Sequence, residues 1–320
     1  MWRPDHSLTG PERAIVRDID ELNRLFSEAF TERYRRDGMS GVRVPLLNPV
    51  IWRYAIEDAG EGAMVWRNAR GDLIAFNMVH RSGEEGWMGP LAVRTDRQGS
   101  GLGHQIVRAG VQWLAAQGVH TIGLETMPRT IDNIGFYSRL GFRPGHLTVT
   151  LQREHPVGAG NPGERLSAVS PESRDRILAD CRVLSNQVAP GIDFTRELQL
   201  TRELDLGDAA LLRDGDGRLR AFALWHTATL AAGGASDELR ILKLVAEDLD
   251  CALAVIAMAE AEAVRIGLLR VALRCQTVHG DLYSRLMAGE YRVHWTDLRM
   301  TLAGKEEVAR SGVLLSNWEI

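Results

Sequence analysis

Apolar positions recur along this chain with two different periods, and the changes of period mark its elements. Between Asp20 and Phe30, Leu22, Leu25, Phe26 and Phe30 recur at three- and four-residue spacing, which predicts a helix with one apolar stripe. Just before it, the run from Arg13 to Val16 reads as a short strand. A second helix is expected from Asn48 and Pro49, with the asparagine as cap and the proline at the first helical position. Three strands follow, over 63–68, 73–80 and 87–94, and Arg70-Gly71-Asp72 is the turn between the first two. A glycine-rich turn then opens a helix from about Gly101 to Gln117. After it come a strand over 121–126, a short helix over 131–140 and a strand over 147–152.

The same plan returns in the second half. Gly71-Asp72-Leu73-Ile74-Ala75-Phe76 is echoed by Gly217-Arg218-Leu219-Arg220-Ala221-Phe222, and Tyr137-Ser138-Arg139-Leu140 by Tyr283-Ser284-Arg285-Leu286, both at an offset of 146. Shared spacing and shared order of elements point to a unit written twice. The Pro-, Gly- and Asn-rich stretch 155–163 disfavours helix and strand and lies near the midpoint. The expected division is therefore 1–154, a linker over 155–163, and 164–320. The tail from Val313 to Ile320 reads as a final strand completing a sheet.

Composition narrows the class. The 320 residues are 45% apolar and 25% charged, as in ordinary globular proteins, which excludes a disordered, collagen-like or coiled-coil chain. A net charge of -4 gives no reason to expect nucleic acid or an anionic membrane as partner. Residues 1–154 carry 19 basic and 18 acidic side chains, and the remainder 19 and 24. The three cysteines, Cys181, Cys251 and Cys275, have neither disulfide-framework nor zinc spacing, so they read as buried thiols with no metal site. The start, Met1-Trp2-Arg3-Pro4-Asp5, lacks the apolar core of a signal peptide. The longest apolar run, 251–259, stops at Glu260, far short of a membrane span. The expected location is cytoplasmic.

Chemistry concentrates in one loop. Leu91, Ala92 and Val93 end a strand; Arg97, Gln98, Gly99, Ser100, Gly101, Leu102, Gly103 and His104 then turn into a helix. Glycines let successive N–H groups point into one concavity, and the helix start adds free donors and the positive end of its dipole. Such a turn suits a phosphate or pyrophosphate, with Arg97 as an added cation. A purely structural turn and a dinucleotide turn are alternatives. The latter wants glycine where His104 stands, although Glu125 lies where a ribose-binding acid would. The Gly-Lys-Ser/Thr ending of a nucleoside-triphosphate loop is absent.

The wider context is more specific. The segment from Val93 to Phe142 resembles the GNAT superfamily of N-acyltransferases. Gln98-Gly99-Ser100-Gly101-Leu102-Gly103 fits that family's Arg/Gln-x-x-Gly-x-Gly/Ala signature, and Phe136-Tyr137-Ser138-Arg139-Leu140-Gly141-Phe142 fits its second motif. The resemblance covers residues 12–153 well. It implies an α/β (α+β) fold of two tandem GNAT-like domains, each a central mixed, mostly antiparallel sheet flanked by helices, with the fourth and fifth strands splayed.

By that resemblance the cosubstrate is acetyl-CoA. Gln98 through Gly103 would bind its pyrophosphate, with His104 at the edge, and Leu91-Ala92-Val93 would pair with its pantetheine arm. Proline in Gly89-Pro90 removes a ladder donor where the strand must leave its neighbour. Tyr137 falls on the general-acid position, protonating the departing thiolate. The family often has asparagine where Thr130 stands, seven residues before that tyrosine. Thr130 also looks like a helix cap, and Asn133 is the nearest substitute for a cofactor contact. Glu125, Glu85 and His80 are the possible general bases, Glu125 first because it ends the strand beside the splayed one.

The second half departs from this pattern. Val245-Ala246-Glu247-Asp248-Leu249-Asp250-Cys251 stands at the glycine loop's position with no glycine. Its Glu247, Asp248 and Asp250 would cap a helix but repel CoA phosphates. The expectation is a degenerate copy that shapes the acceptor pocket. The resulting function is N-acetyl transfer from acetyl-CoA to a primary amine of a small molecule or peptide, in a monomer or homodimer. The alternatives are a non-catalytic CoA-binding sensor or scaffold and a nucleotide-binding oxidoreductase.

Overall fold

The computed structural model describes residues 8–157 and 163–318. The first half builds β1 (Leu8–Arg13), α1 (Ile19–Arg36), α2 (Pro49–Ala59), β2 (Ala63–Asn68), β3 (Leu73–Ser82), β4 (Glu85–Val93), α3 (Leu102–Ala116), β5 (Thr121–Thr126), α4 (Ile131–Arg139) and β6 (Phe142–Glu154). The second half builds β7 (Glu164–Arg165), α5 (Pro171–Val188), α6 (Thr195–Glu203), β8 (Gly207–Arg213), β9 (Leu219–His226), β10 (Glu238–Ala246) and α7 (Leu249–Arg265). It ends with β11 (Arg270–Gln276), α8 (Gly280–Ala288), β12 (Arg292–Leu302) and β13 (Val313–Ser316).

Most elements lie where periodicity places them. The Asn48 side chain accepts from the Val50 amide at 3.2 Å, with Pro49 opening α2. The first strand is the exception. It runs over 8–13 rather than 13–16, paired with β2 through a register shift around Gly10 and Pro11. An edge strand tolerates that proline because one side of it needs no ladder partner. Of the linker expected over 155–163, residues 158–162 lie outside the described residues, as do the last two residues of the expected tail strand.

All thirteen strands join one mixed sheet in the order β1-β2-β3-β4-β5-β12-β6-β11-β10-β9-β8-β7, with β13 against β10. Only β4–β5 and β10–β11 are parallel. Its centre is interleaved: β12 lies between β5 and β6, and β6 lies between β12 and β11. Each half therefore finishes its sheet with a strand of the other.

Alternation fills both faces. In β2, Ala63 and Val65 join the core under α1 and α2, whereas Met64 and Trp66 join the core under α3 and α4. The second half repeats this, with α5 and α6 over one face and α7 and α8 over the other. Each fully buried Leu, Ile or Phe contributes about 1.5–3 kcal/mol.

Candidate active site

Two breaks in strand pairing set the site. In the first half β4 pairs with β5 only from Glu85–Met88 to Thr121–Leu124. At Gly89 it leaves β5, yet Leu91, Ala92 and Val93 stay in register with Asn77, Phe76 and Ala75 of β3. A wedge opens between β4 and β5, edged by strand backbone with no neighbour on that side. Gly89 has a φ of 146°, a conformation open to glycine alone.

Past β4 the chain enters the glycine turn. Gly99 and Gly101 have φ of 78° and 86°, and a Cβ on either would meet nothing within 4 Å. Residues 98–101 are exposed. Gly101 is the cap of α3, whose first amides lack intrahelical acceptors. The turn is an open, donor-lined cradle that fits a pyrophosphate. Three hydrogen bonds hold it: the Gln98 amide donates to the Val93 carbonyl at 3.1 Å while accepting from Arg36 at 2.8 Å, and Ser100 donates to the Arg97 carbonyl at 2.6 Å. Arg97 lies 4.0 Å from Asp96. His104 meets the Phe136 ring edge-on at 5.1 Å, and the Phe136 Cζ lies 3.3 Å from where a Cβ on Gly103 would sit, so α3 and α4 approach closely here.

The wedge leads into a cavity of about 640 Å³ lined by Gly89, Pro90, Leu91, Glu125, Asn133 and Tyr137. Tyr137 is buried against Phe136 and Phe142, and that burial raises its pKa, so the phenol keeps its proton. Asn133 donates to Thr126 at 3.4 Å. Thr130 precedes α4 as expected, but its hydroxyl donates to Asp37 of the first half at 2.6 Å rather than capping the helix.

Of the three carboxylate and imidazole groups proposed as bases, Glu125 alone lines this cavity. His80 is buried between Asp58, at 2.6 Å, and the Gly89 carbonyl, at 3.1 Å. Glu85 accepts from Ser316 at 2.7 Å. Glu125 accepts from Thr148 at 2.6 Å, from Arg274 at 2.5 Å and from Arg299 at 2.8 Å. Burial alone would raise its pKa; Arg274 and then Arg299 outweigh that and hold it lowered.

Arg274 and Arg299 stand on β11 and β12, about 170 and 200 residues from the glycine turn in sequence. With them come Trp295, Asp297 and Trp318, which line the same cavity. Sequence patterns missed these residues, because only the interleaving of β6 and β12 brings them to β5. The one local hint was strand alternation, which puts Trp295, Asp297 and Arg299 on a common face.

The equivalent wedge in the second half is closed. β10 pairs with β11 from Glu238 to Ile241, and beyond that Lys243–Ala246 pair with Ser316–Val313 of β13. The loop after β10 carries Glu247, clamped by Arg218 and Arg220, and Asp248, which accepts from the Cys251 amide at 2.7 Å to cap α7. The cysteines are free and buried, and among the described residues no cluster could hold a metal ion. No described helix is long and apolar enough to cross a membrane.

Residues 19–142 match the acetyltransferase (GNAT) family. No curated protein is similar enough in sequence to match. Solved structures that are similar include a candidate acetyltransferase from Pyrococcus horikoshii, at 16% identity and TM-score 0.67, covering 98% of this chain and 95% of that one. A GCN5-related N-acetyltransferase from Sphaerobacter thermophilus aligns at 16% identity and TM-score 0.60, covering 96% and 98%. A tandem GNAT protein from the clavulanic acid biosynthesis pathway aligns at 12% and TM-score 0.58, covering 92% and 97%. Residues 19–142 thus match the acetyltransferase (GNAT) family, and the chain shares the fold of a tandem GNAT protein.

Proposed function

We propose that this protein transfers an acetyl group from acetyl-CoA to a primary amine of a small molecule or peptide, by direct attack in a ternary complex within residues 1–154. The observation that carries this reading is the open wedge at Gly89, which joins the glycine cradle to a cavity containing Tyr137. Acetyl-CoA supplies the acyl thioester. The turn amides from Gln98 to His104 hold its phosphates, with Arg97 adding charge, and the free edge of Leu91-Ala92-Val93 holds its arm. The ammonium first loses one proton to water in the open cavity, the free amine attacks the thioester carbon, and as the C–S bond breaks Tyr137 gives its proton to the departing sulfur and regains one from the acylated nitrogen. Glu125, held ionised by two guanidiniums, orders the β5–β12 junction beneath the acceptor. Residues 164–320 act as a second, degenerate copy that walls the acceptor side. The expected site of action is the cytoplasm.

Release of free CoA from acetyl-CoA, followed with a thiol reagent across a panel of amines, tests the reading. Amine-dependent release is expected. Acetyl-CoA that binds without any amine-dependent release would leave a binding protein instead of an enzyme.

A further inference from the structure

The cavity carries three carboxylates, and they are not equally compensated. Glu125 is met by both Arg274 and Arg299. Glu238 accepts from Gln152 at 2.5 Å and lies within 4.0 Å of Arg240 and Arg270. Among the described residues Asp297 has one cationic neighbour, Arg274 at 2.7 Å, and the same guanidinium nitrogen is also given to Glu125. Its other contact is the Trp295 indole N–H at 3.3 Å. Burial raises its pKa, Arg274 only partly reverses this, and the Glu125 carboxylate adds to it. It therefore gains most from one further cation.

What surrounds Asp297 limits the cation's size and shape. Trp295, on the same strand, meets Tyr34 of α1 with ring centroids 6.0 Å apart. Phe26, Phe30 and Met39 extend that wall. The cavity's Arg33 and Arg240 are already paired with Asp37 and Glu238, and its Glu125 and Glu238 are already met by arginines, so a second positive group would find no uncompensated partner.

Resting on the acetyl-transfer reading above, we propose that Asp297 of the second half binds the acceptor's ammonium group, and that the acceptor is a singly charged primary amine on an aromatic or similarly apolar body. The rings of Tyr34 and Trp295 receive that body and add cation–π attraction to the ammonium. The second half thereby selects the acceptor for a reaction whose cosubstrate the first half binds.

The test uses the full chain saturated with CoA. Binding of 2-phenylethylamine is compared with binding of its neutral counterpart 2-phenylethanol, read through the fluorescence of the tryptophans lining the cavity. Wild type is expected to prefer the amine at least about tenfold, the size of one well-placed charge contact. Asp297→Asn should reduce that preference to below about threefold and raise the KM for the amine more than it lowers kcat, with Asp297→Glu partly restoring it. Spermidine should bind more weakly than 2-phenylethylamine. The proposal is overturned if wild type fails to bind 2-phenylethylamine at millimolar concentration, does not distinguish it from the alcohol, or if Asp297→Asn keeps the preference. The wild-type comparison stands even if the variant misfolds. Acetyl-CoA is titrated separately: its binding with no amine preference defeats the Asp297 assignment alone, whereas failure of acetyl-CoA to bind defeats the acetyl-transfer reading itself.

Discussion

The two halves share a plan and treat the same strand fork in opposite ways. In the first, β4 leaves β5 at Gly89 and the gap stays open above an exposed glycine turn. In the second, β10 leaves β11 after Ile241 and the chain's own β13 fills the gap, while Glu247 and Asp248 stand where the glycines were. A parallel pair that splays exposes unpaired backbone, which costs free energy unless something satisfies it. The first half leaves that edge unpaired, and the second satisfies it with hydrogen bonds from its own β13. The same fork is thus left open or closed into a structural joint, depending on what lies between its arms.

The largest effect that would break this contrast is at the cradle. Gly101→Asp places a carboxylate in a left-handed conformation facing the phosphates, and acetyl-CoA binding measured by calorimetry should fall more than about 100-fold. Gly101→Ala separates backbone strain from charge and should lose less. Unchanged binding in Gly101→Asp would refute the cradle.

Next is the chemistry. Tyr137→Phe should lower kcat by about 10²- to 10⁴-fold, the usual worth of a general acid, with acetyl-CoA affinity nearly unchanged. Intact turnover with lost affinity would make Tyr137 a packing residue.

A smaller effect follows from how β13 is held. His279 contacts the Leu314 carbonyl at 2.9 Å, and burial followed by Arg310 pushes its pKa down to about 4 from 6.5. The folded ring stays neutral where the unfolded ring takes a proton. Stability is therefore unaffected above about pH 6.5 and is lost as pH falls from there toward 4, by roughly 2–3 kcal/mol. The urea midpoint at pH 4.5 relative to pH 7 should fall less in His279→Gln than in wild type. Equal losses would place the acid sensitivity elsewhere.

The smallest expected effect is none. Glu247→Gly removes an acid from the second loop and releases Arg218 and Arg220, yet acetyl-CoA should not bind there, because β13 still occupies the fork. A second binding event in calorimetry would show that charge, not the strand, keeps the copy closed.

Much of this was readable before the fold. The helix stripe of α1, the Asn48-Pro49 start of α2 and the strands 63–68 and 121–126 each follow from neighbours within a few residues. The glycine turn was legible for the same reason, since positive φ at Gly99 and Gly101 is a local demand that only glycine meets freely. Tyr137 and Glu125, expected from the sequence as general acid and general base, both line the cavity, but the surroundings of Glu125 were not legible. Its two arginines come from strands 149 and 174 residues away. The limits of β1 shifted because pairing with β2, a tertiary contact, outweighed the local preference of 13–16.

By itself, then, the amino-acid order determined the elements, the duplication and the anion cradle, all of which depend on short-range sterics and periodicity. The acidic loop that departs from that cradle was equally plain. Only the tertiary structure decided that β6 and β12 trade places, that β13 closes one fork while the other stays open, and that Trp295 and Asp297 of one half line the same cavity as Tyr137 of the other. Those outcomes turn on which strand edges find partners across the chain, and hydrogen bonding between distant edges leaves no periodic trace in the sequence that makes it.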